Sequence, residues 1–230
     1  MLPVIVIRPE PGASATCAKA RALGLDAVSA PLFAVRPLAW QPLPREEVDA
    51  ILLGSANALR HAGPALECYR CCPTYAVGLT TAQAAIAAGL DVVATGSGGL
   101  QSVMPLLDPA HRRLLRLSGR ERVELEPPPG VMVALREVYA SEPLPLPQPL
   151  RDRLAAPALV LLHSGEAAAH FAQSLDAAGI GRGIHRIAAL APRVAERAGS
   201  GWAALEVAER PDDAALLALA VQMCQRFSLG

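Results

Sequence analysis

Aromatic and charged residues are scarce in this chain. Only 3% of its 230 residues are aromatic and 18% are charged, whereas 52% are hydrophobic. Alanine and leucine must therefore supply most of a core. Lys+Arg and Asp+Glu each number 21, so the formal net charge is zero. This balance argues against a nucleic-acid-binding protein that depends on a broad basic field, although it does not exclude a local arginine cluster.

Segments that would indicate a membrane, a secretory route or a metal are also missing. No apolar run reaches the ~20 residues that a membrane-spanning helix needs. The first residues lack the basic stretch of a signal peptide and run directly into Arg8-Pro9. One C-x-x-C occurs, at Cys68 and Cys71, but no second pair of ligands follows to complete a zinc site. We therefore expect a soluble, cytoplasmic protein with reduced thiols and no bound metal.

A strand that turns at once into a helix is predicted twice. Residues 51–60 read ILLGSANALR, and residues 160–169 read VLLHSGEAAA. An apolar run before an alanine-rich segment is typical of a buried parallel strand followed by a helix. Ser55 and Ser164 then stand at the helix N-caps, where a side-chain oxygen can accept a hydrogen bond from a free backbone N–H. Such turns suit anions, because they present backbone donors and the positive end of the helix dipole.

These segments belong to a repeat that runs through the chain. Ser55 and Ser164 are 109 positions apart, and the predicted strand 113–117 echoes the predicted strand 4–7 at an offset of 110. A repeat of this length predicts two related α/β domains, each with a flavodoxin-like parallel sheet. Proline-rich stretches near 31–42 and 138–149 look like two crossings between the domains. We therefore predict a discontinuous first domain, residues 1–36 plus 146–230, and a second domain of residues 37–145.

Short motifs along nearly the whole chain resemble those of the uroporphyrinogen-III synthase family. They are Arg8-Pro9, Leu52–Asn57, Tyr75–Ala82, Leu117–Arg120, Val138-Tyr139, Leu161–Ser164, Ala188–Ala195 and Pro211–Leu216. Each motif is unspecific alone, and the resemblance lies in their joint order and spacing. It implies two α/β domains joined by a two-stranded β-ladder, with the active site in the cleft. It also implies a lyase that converts hydroxymethylbilane to uroporphyrinogen III, with loss of water and inversion of ring D.

The resemblance further implies which residues meet this linear tetrapyrrole. Tyr139 matches the family's Val-Tyr motif and is the catalytic candidate, because a phenol can donate a proton or hydrogen bond to the departing hydroxyl. The substrate-binding candidates are Arg8, Ser55, Ala56, Asn57, Thr80, Thr81, Ser118, Gly119, Arg120, Ser164 and Arg193. Hydroxyls, turn amides and a few arginines suit a substrate with acetate and propionate groups on every ring. The alternatives are a packed tyrosine ring, ordinary helix caps, and arginines that are solvated or ion-paired.

Some positions depart from the family pattern, and other functions stay open. Gly54 stands where a threonine is expected, and the run Pro127–Gly130 interrupts the helix that usually follows the Ser-Gly-Arg turn. The alternative function is a non-catalytic two-lobed binder of an anionic small molecule on the same scaffold. A nucleotide enzyme that uses Gly96–Gly99 has little support, since no G-x-G-x-x-G or Lys-Ser/Thr accompanies the glycines. We expect a monomer that needs no organic cofactor, no metal, no nucleic acid and no membrane.

Overall fold

The computed structural model describes residues 2–228, with side chains up to residue 226. The strands are β1 (Val4–Val6), β2 (Ala27–Ser29), β3 (Phe33–Pro37), β4 (Ala50–Leu53), β5 (Pro73–Val77), β6 (Asp91–Gly96), β7 (Arg113–Gly119), β8 (Met132–Pro143), β9 (Leu159–Leu162), β10 (Arg186–Ala189) and β11 (Ala204–Val207). The α-helices are α1 (Gly12–Ala22), α2 (Ala56–His61), α3 (Leu79–Ala87), α4 (Gln148–Arg153), α5 (Gly165–Ala178), α6 (Pro192–Ala198) and α7 (Asp213–Ser228). Short 3-10 helices cover Arg45–Glu47, Gly63–Tyr69, Leu100–Leu106 and Arg182–Ile184.

The chain divides into two compact units. Unit 1 contains the residues up to Ala34 and those from Glu142 onward, and unit 2 is Val35–Ser141. The boundaries between folding domains that the sequence suggests, 36/37 and 145/146, stay a prediction.

Unit 1 is built on a five-stranded sheet in the order β2-β1-β9-β10-β11, and its neighbouring strands are all parallel. Counted along the unit, this order is 2-1-3-4-5, as in flavodoxin-like folds. Both faces of the sheet are covered by helices. One face packs Ile5 and Ile7 against Phe171 of α5, and the other packs Val4 and Val6 against residues of α1 and α7.

Unit 2 contains a sheet in the order β3-β8-β7-β4-β5-β6. Strands β4 to β8 pair in parallel, and the order β8-β7-β4-β5-β6 reproduces the order β2-β1-β9-β10-β11 of unit 1. Strand β3 pairs with β8, with Leu38 N donating to Val138 O and Leu144 N donating to Leu32 O, each at 2.9 Å. Residue numbers rise on one strand and fall on the other, so this pair is antiparallel. The predicted α/β class, with two parallel sheets and a two-stranded ladder, is thus confirmed.

The faces of the unit 2 sheet are covered unequally. One face packs Ile51 and Leu53 with side chains of α2 and α3, among them Ala58 and Ala85. The other face carries Leu52 and Tyr75 and is covered by the 3-10 helix Leu100–Leu106. The loop 120–131 follows β7, at the place where α1 follows β1 in unit 1. Among the described residues, the core cluster on this face therefore includes the 3-10 helix but no α-helix.

Two sequence-based predictions of local structure need correction. The proline-rich segment Glu142–Pro149, part of the predicted crossing near 138–149, favours an extended connector by sequence, but β8 continues to Pro143 and α4 begins at Gln148. Proline is tolerated in the first turn of a helix, where its missing N–H has no intrahelical partner, so Pro149 does not prevent α4. The sequence predicts a helix over Leu100–Leu107, and the structure forms a 3-10 helix over Leu100–Leu106 with Pro105 inside it. Within residues 2–228, no helix combines the length and apolar character that crossing a membrane requires.

Candidate active site

A pocket of about 330 Å³ lies at the carboxyl edge of the unit 2 sheet. Because β4 to β8 are parallel, their carboxyl ends and the turns that follow them meet at this edge, where α/β sheets usually bind ligands. The pocket is lined by polar side chains from four of these segments. They include Ser55, Gln101, Arg116, Ser118, Arg122 and Tyr139.

Tyr139 is held in place by the backbone and by a glycine. Its carbonyl accepts a hydrogen bond from Arg120 N at 2.9 Å, and Tyr139 is paired with Gly119 across the β7–β8 ladder. A Cβ atom on Gly119 would lie 2.6 Å from the Cε2 atom and 3.0 Å from the hydroxyl oxygen of Tyr139. Glycine at this position therefore lets the half-buried phenol approach the backbone of β7 closely. The ring of His61 is the nearest aromatic neighbour described, with centroids 6.0 Å apart.

Ser55 and Ser118 bring two hydroxyls into the same pocket. Ser55 is the N-cap of α2, and its Oγ accepts a hydrogen bond from Asn57 N at 3.2 Å. Its own hydroxyl proton is left to donate to another group. Ser118 Oγ lies 3.0 Å from the Gly119 carbonyl, to which it donates. The structure thus collects three of the predicted residues, Ser55, Ser118 and Tyr139, around one cavity.

Two arginines of the pocket were not among the residues predicted from the sequence. Arg116 on β7 is half-buried, and its Nη2 donates to the Val123 carbonyl at 2.8 Å. Burial and the nearby Arg122 guanidinium lower the pKa of Arg116, which still remains protonated. Arg122 Nη1 donates to Glu137 Oε1 at 2.6 Å. The alternation of side chains along a strand could have indicated Arg116 as a site residue. Arg116 lies two residues before the predicted Ser118 and therefore on the same face of β7.

The loop 120–131 is attached to the rest of unit 2 by a glutamine. Gln101 Nε2 donates to the Glu126 carbonyl, and Glu126 N donates to Gln101 Oε1, both at 3.0 Å. The side-chain amide thus pairs with a backbone group much as a neighbouring strand would. This attachment holds the loop, with Arg122 and Val123, along the pocket.

The carboxyl edge of the unit 1 sheet carries a network of charged groups around Asp213. Its carboxylate accepts hydrogen bonds from Thr16 Oγ1 and Lys19 Nζ, both at 2.9 Å, and lies 3.7 Å from Arg8 Nη1. Burial opposes ionisation of Asp213, but the hydrogen bonds from Lys19 and Thr16 outweigh it and leave its pKa below the ordinary value. The ion-paired alternative therefore describes Arg8 in this structure.

His163 joins this network as a neutral side chain. It is almost fully buried, and its Nε2 lies 3.2 Å from Asp213 Oδ1. Burial, followed by the positive charge of Arg8, lowers the pKa of His163 to about 4. The ring is therefore uncharged near neutral pH and donates to the carboxylate. The sequence suggests a core or cap histidine here, but it does not indicate the partner on α7.

The comparisons with known proteins bear on the whole chain. The family model described as uroporphyrinogen-III synthase HemD matches residues 14–218. This chain belongs to the uroporphyrinogen-III synthase HemD family. Membership makes it an enzyme of porphyrin and heme biosynthesis that acts on a tetrapyrrole. A search among curated protein sequences returns no match.

Solved structures of uroporphyrinogen-III synthases share this fold. The enzyme from Helicobacter pylori is 16% identical, with a TM-score of 0.65, and the alignment covers 97% of this chain and 100% of that one. A mutant synthase from the extremely thermophilic bacterium Thermus thermophilus is 17% identical, with a TM-score of 0.52 and coverage of 98% and 100%. At such identities the likeness concerns the fold, so the functional residues must be argued from this chain itself.

Other predicted residues of this HemD family member lie outside the pocket lining. Ala56 is buried at the start of α2, and Asn57 Oδ1 accepts from Arg60 Nη1 at 2.8 Å. Arg120 is exposed, with Nε 3.7 Å from Glu137 Oε2. Gly119 is covered by the ring of Tyr139.

The remaining predicted residues lie in first turns of helices. Thr80 is exposed and Thr81 buried at the start of α3, whose N-cap is Gly78, so ordinary capping does not explain these hydroxyls. In unit 1, Ser164 caps α5, and its Oγ accepts from Ala167 N at 3.2 Å. Arg193 is exposed in the first turn of α6. Among residues 2–226, no three His, Cys, Asp or Glu side chains are grouped to hold a metal ion.

Proposed function

We propose that this chain is a cyclising hydro-lyase that converts linear hydroxymethylbilane to uroporphyrinogen III, with loss of water and inversion of ring D. The observation that carries the proposal is the pocket of unit 2, which Tyr139 lines together with Ser55 and Ser118. Family membership supports the same reaction. Because loss of water changes no net oxidation state, the proposed reaction calls for no redox cofactor.

Tyr139 is proposed to assist the departing hydroxyl. A phenol O–H is a hydrogen-bond donor as well as an acceptor, so Tyr139 can donate to the leaving oxygen. Proton transfer or strong hydrogen bonding to a leaving oxygen lowers the barrier to its departure. Close packing on Gly119 fixes the direction of the phenol, which favours a donor role over that of a mobile surface ring.

Carboxylate groups of the substrate are proposed to meet hydroxyls and backbone N–H groups. Ser55 can donate its proton while it accepts from Asn57 N, and Ser118 can exchange its bond to the Gly119 carbonyl for one to a carboxylate. The other residues proposed to contact the substrate are Ala56, Asn57, Thr80, Thr81, Gly119 and Arg120 in unit 2, and Arg8, Ser164 and Arg193 in unit 1.

A product assay separates this function from that of a non-catalytic binder. The purified protein is incubated with hydroxymethylbilane generated enzymatically, and the oxidised products are resolved by chromatography. The expected product is uroporphyrinogen III. Formation of uroporphyrinogen I alone, at the rate seen without protein, would instead favour the binder. The proposed monomeric state is checked by light scattering on the same sample.

A further inference from the structure

The internal repeat places an arginine where its partner position holds a fully buried valine. Val6 of β1 pairs with Leu161, and Arg116 of β7 pairs with Leu52. Leu52 and Leu161 occupy the same place in the two serine-containing segments, 109 positions apart. Val6 is 0% exposed and packs into the core of unit 1. Arg116 is therefore the unit 2 counterpart of a core residue.

The guanidinium fits there because one covering helix is missing. In unit 1, α1 follows β1 and packs Ala13 and Cys17 on the face that holds Val6. In unit 2, the loop 120–131 follows β7 and contains the run Pro127–Gly130, where prolines prevent a helix. Beside this loop lies the pocket of about 330 Å³, lined by Arg116 and by loop residues Glu121–Glu124. That volume lies within the range of ligand pockets, about 300–1,000 Å³.

Arg116 is half-buried without a counter-charge. Among the residues whose side chains are described, no carboxylate forms an ion pair with its guanidinium or raises its pKa, and the charge that affects it is another cation, Arg122. Its hydrogen-bond partner is the neutral carbonyl of Val123, a residue that is 83% exposed on the loop. Burying a charge without an opposite charge is costly, so this site favours an incoming anion.

The other charged groups that line the pocket do not supply a counter-charge to Arg116, and Arg122 is not free to bind the anion. Arg122 already pairs with Glu137 through a contact of 2.6 Å. Glu121 and Glu124 also line the pocket, but both are exposed on the loop and neither pairs with Arg116. Ser118 lies on the same face of β7, two residues further on, and can supply a second donor beside the guanidinium.

We propose that Arg116 binds a side-chain carboxylate of the tetrapyrrole, exchanging the Val123 carbonyl for the two carboxylate oxygens. This assignment rests on the proposed function and adds a specificity residue to it. The planar fork of an arginine can hold both oxygens of one carboxylate, which a neutral carbonyl cannot match in strength. The Val123 carbonyl then acts as the internal partner that the substrate displaces.

The test compares Arg116→Met with Arg112→Met, which removes an exposed arginine just before the amino end of the same strand. Steady-state rates give KM and kcat for uroporphyrinogen III formation, and calorimetry gives the Kd of uroporphyrin III, a stable octacarboxylate. Loss of a charge-assisted hydrogen bond is worth about tenfold or more in binding. For Arg116→Met we expect KM and Kd to rise about tenfold while kcat stays within about twofold. Arg112→Met should match the wild type.

A folded Arg116→Met variant with unchanged KM and Kd would overturn the assignment. If that variant does not fold, Arg116→Lys decides, because it keeps the charge but loses the fork. An intermediate rise in Kd supports the assignment, and no rise refutes it. If the wild type forms uroporphyrinogen I alone, the proposed function fails, while uroporphyrin III binding still tests Arg116 separately.

Discussion

Gly119→Ala should disable the enzyme by moving Tyr139 while leaving the fold intact. The new Cβ would lie 2.6 Å from Cε2 and 2.7 Å from Cζ of the tyrosine ring, whereas ordinary van der Waals contact begins near 3.4 Å. The ring must therefore retreat by about 0.8 Å, with no backbone atom among the nearest contacts. Since the atoms in the way belong to the outer part of a half-buried side chain, the strain can be relieved by moving the ring.

The expected size of the effect follows from that displacement. If Tyr139 donates to the departing hydroxyl, misplacing a catalytic group by about 1 Å can cost about 100-fold in rate. We expect kcat to fall by about 10- to 100-fold in Gly119→Ala. The free energy of unfolding should change by less than the roughly 1–3 kcal/mol typical of an overpacked core, because the ring packs against core side chains on one side but borders the pocket on the other and can move towards it.

A double-mutant cycle shows whether the loss acts through the phenol. Kinetics of uroporphyrinogen III formation are measured for Gly119→Ala, Tyr139→Phe and the double variant, with unfolding followed by circular dichroism. Gly181→Ala is the matched control, because its Cβ would meet no atom within 4 Å and its φ of −68° suits alanine. If both changes act on the hydroxyl, the double variant should be no slower than the slower single variant. Additive losses, or full activity in Gly119→Ala, would refute the reasoning.

Two further predictions concern stability. Asp49 accepts hydrogen bonds from Arg113, which lower the pKa of Asp49 to about 2. When folding lowers the pKa of a carboxylate, the ionised group stabilises the fold at pH values above its ordinary pKa. This stabilisation is lost as the pH falls through the pKa of the folded state. Asp49→Asn should thus cost about 1–2 kcal/mol near neutral pH and less towards about pH 2, measured by urea unfolding; a pH-independent difference would contradict this. Ser164→Ala should cost about 1 kcal/mol of unfolding free energy by removing the α5 cap, and Ser164→Asp should restore much of it; equal stability of all three proteins would argue against a capping role.

The features that local sequence predicts well are those formed within a few residues. Ser55 and Ser164 were expected to cap helices, and each accepts a hydrogen bond from a backbone N–H of the following helix. The alternation of strand and helix also requires only neighbouring residues. Because these signals recur about 110 residues apart, they were sufficient to predict two parallel sheets.

The contacts that the sequence did not predict join residues far apart in the chain. Asp213 is a helix-start acid by local pattern, and it does lie in the first turn of α7. Its hydrogen bonds, however, reach Thr16 and Lys19, which are 197 and 194 positions away. Likewise, the packing of Tyr139 on Gly119 depends on a register shift in the β7–β8 ladder at Ser118/Gly119. Neither the network nor the shift has a signature within a sequence window.

The proposed site of this chain lies where the two copies of the repeat differ. A sheet covered on both faces needs apolar side chains, which is why Val6 lies beneath helices of unit 1. Once the helix after β7 is replaced by a loop, the equivalent position no longer has to be apolar, and Arg116 can occupy it beside a cavity. An α-helix packed on this face of β7 would leave no room for a ligand, and a cation beneath it would have no anion to bind. Arg116, which breaks the internal symmetry of the duplicated fold, is therefore a sharper guide to the proposed binding site than Ser55 and Ser164, because both serines would be needed as helix caps even without a ligand.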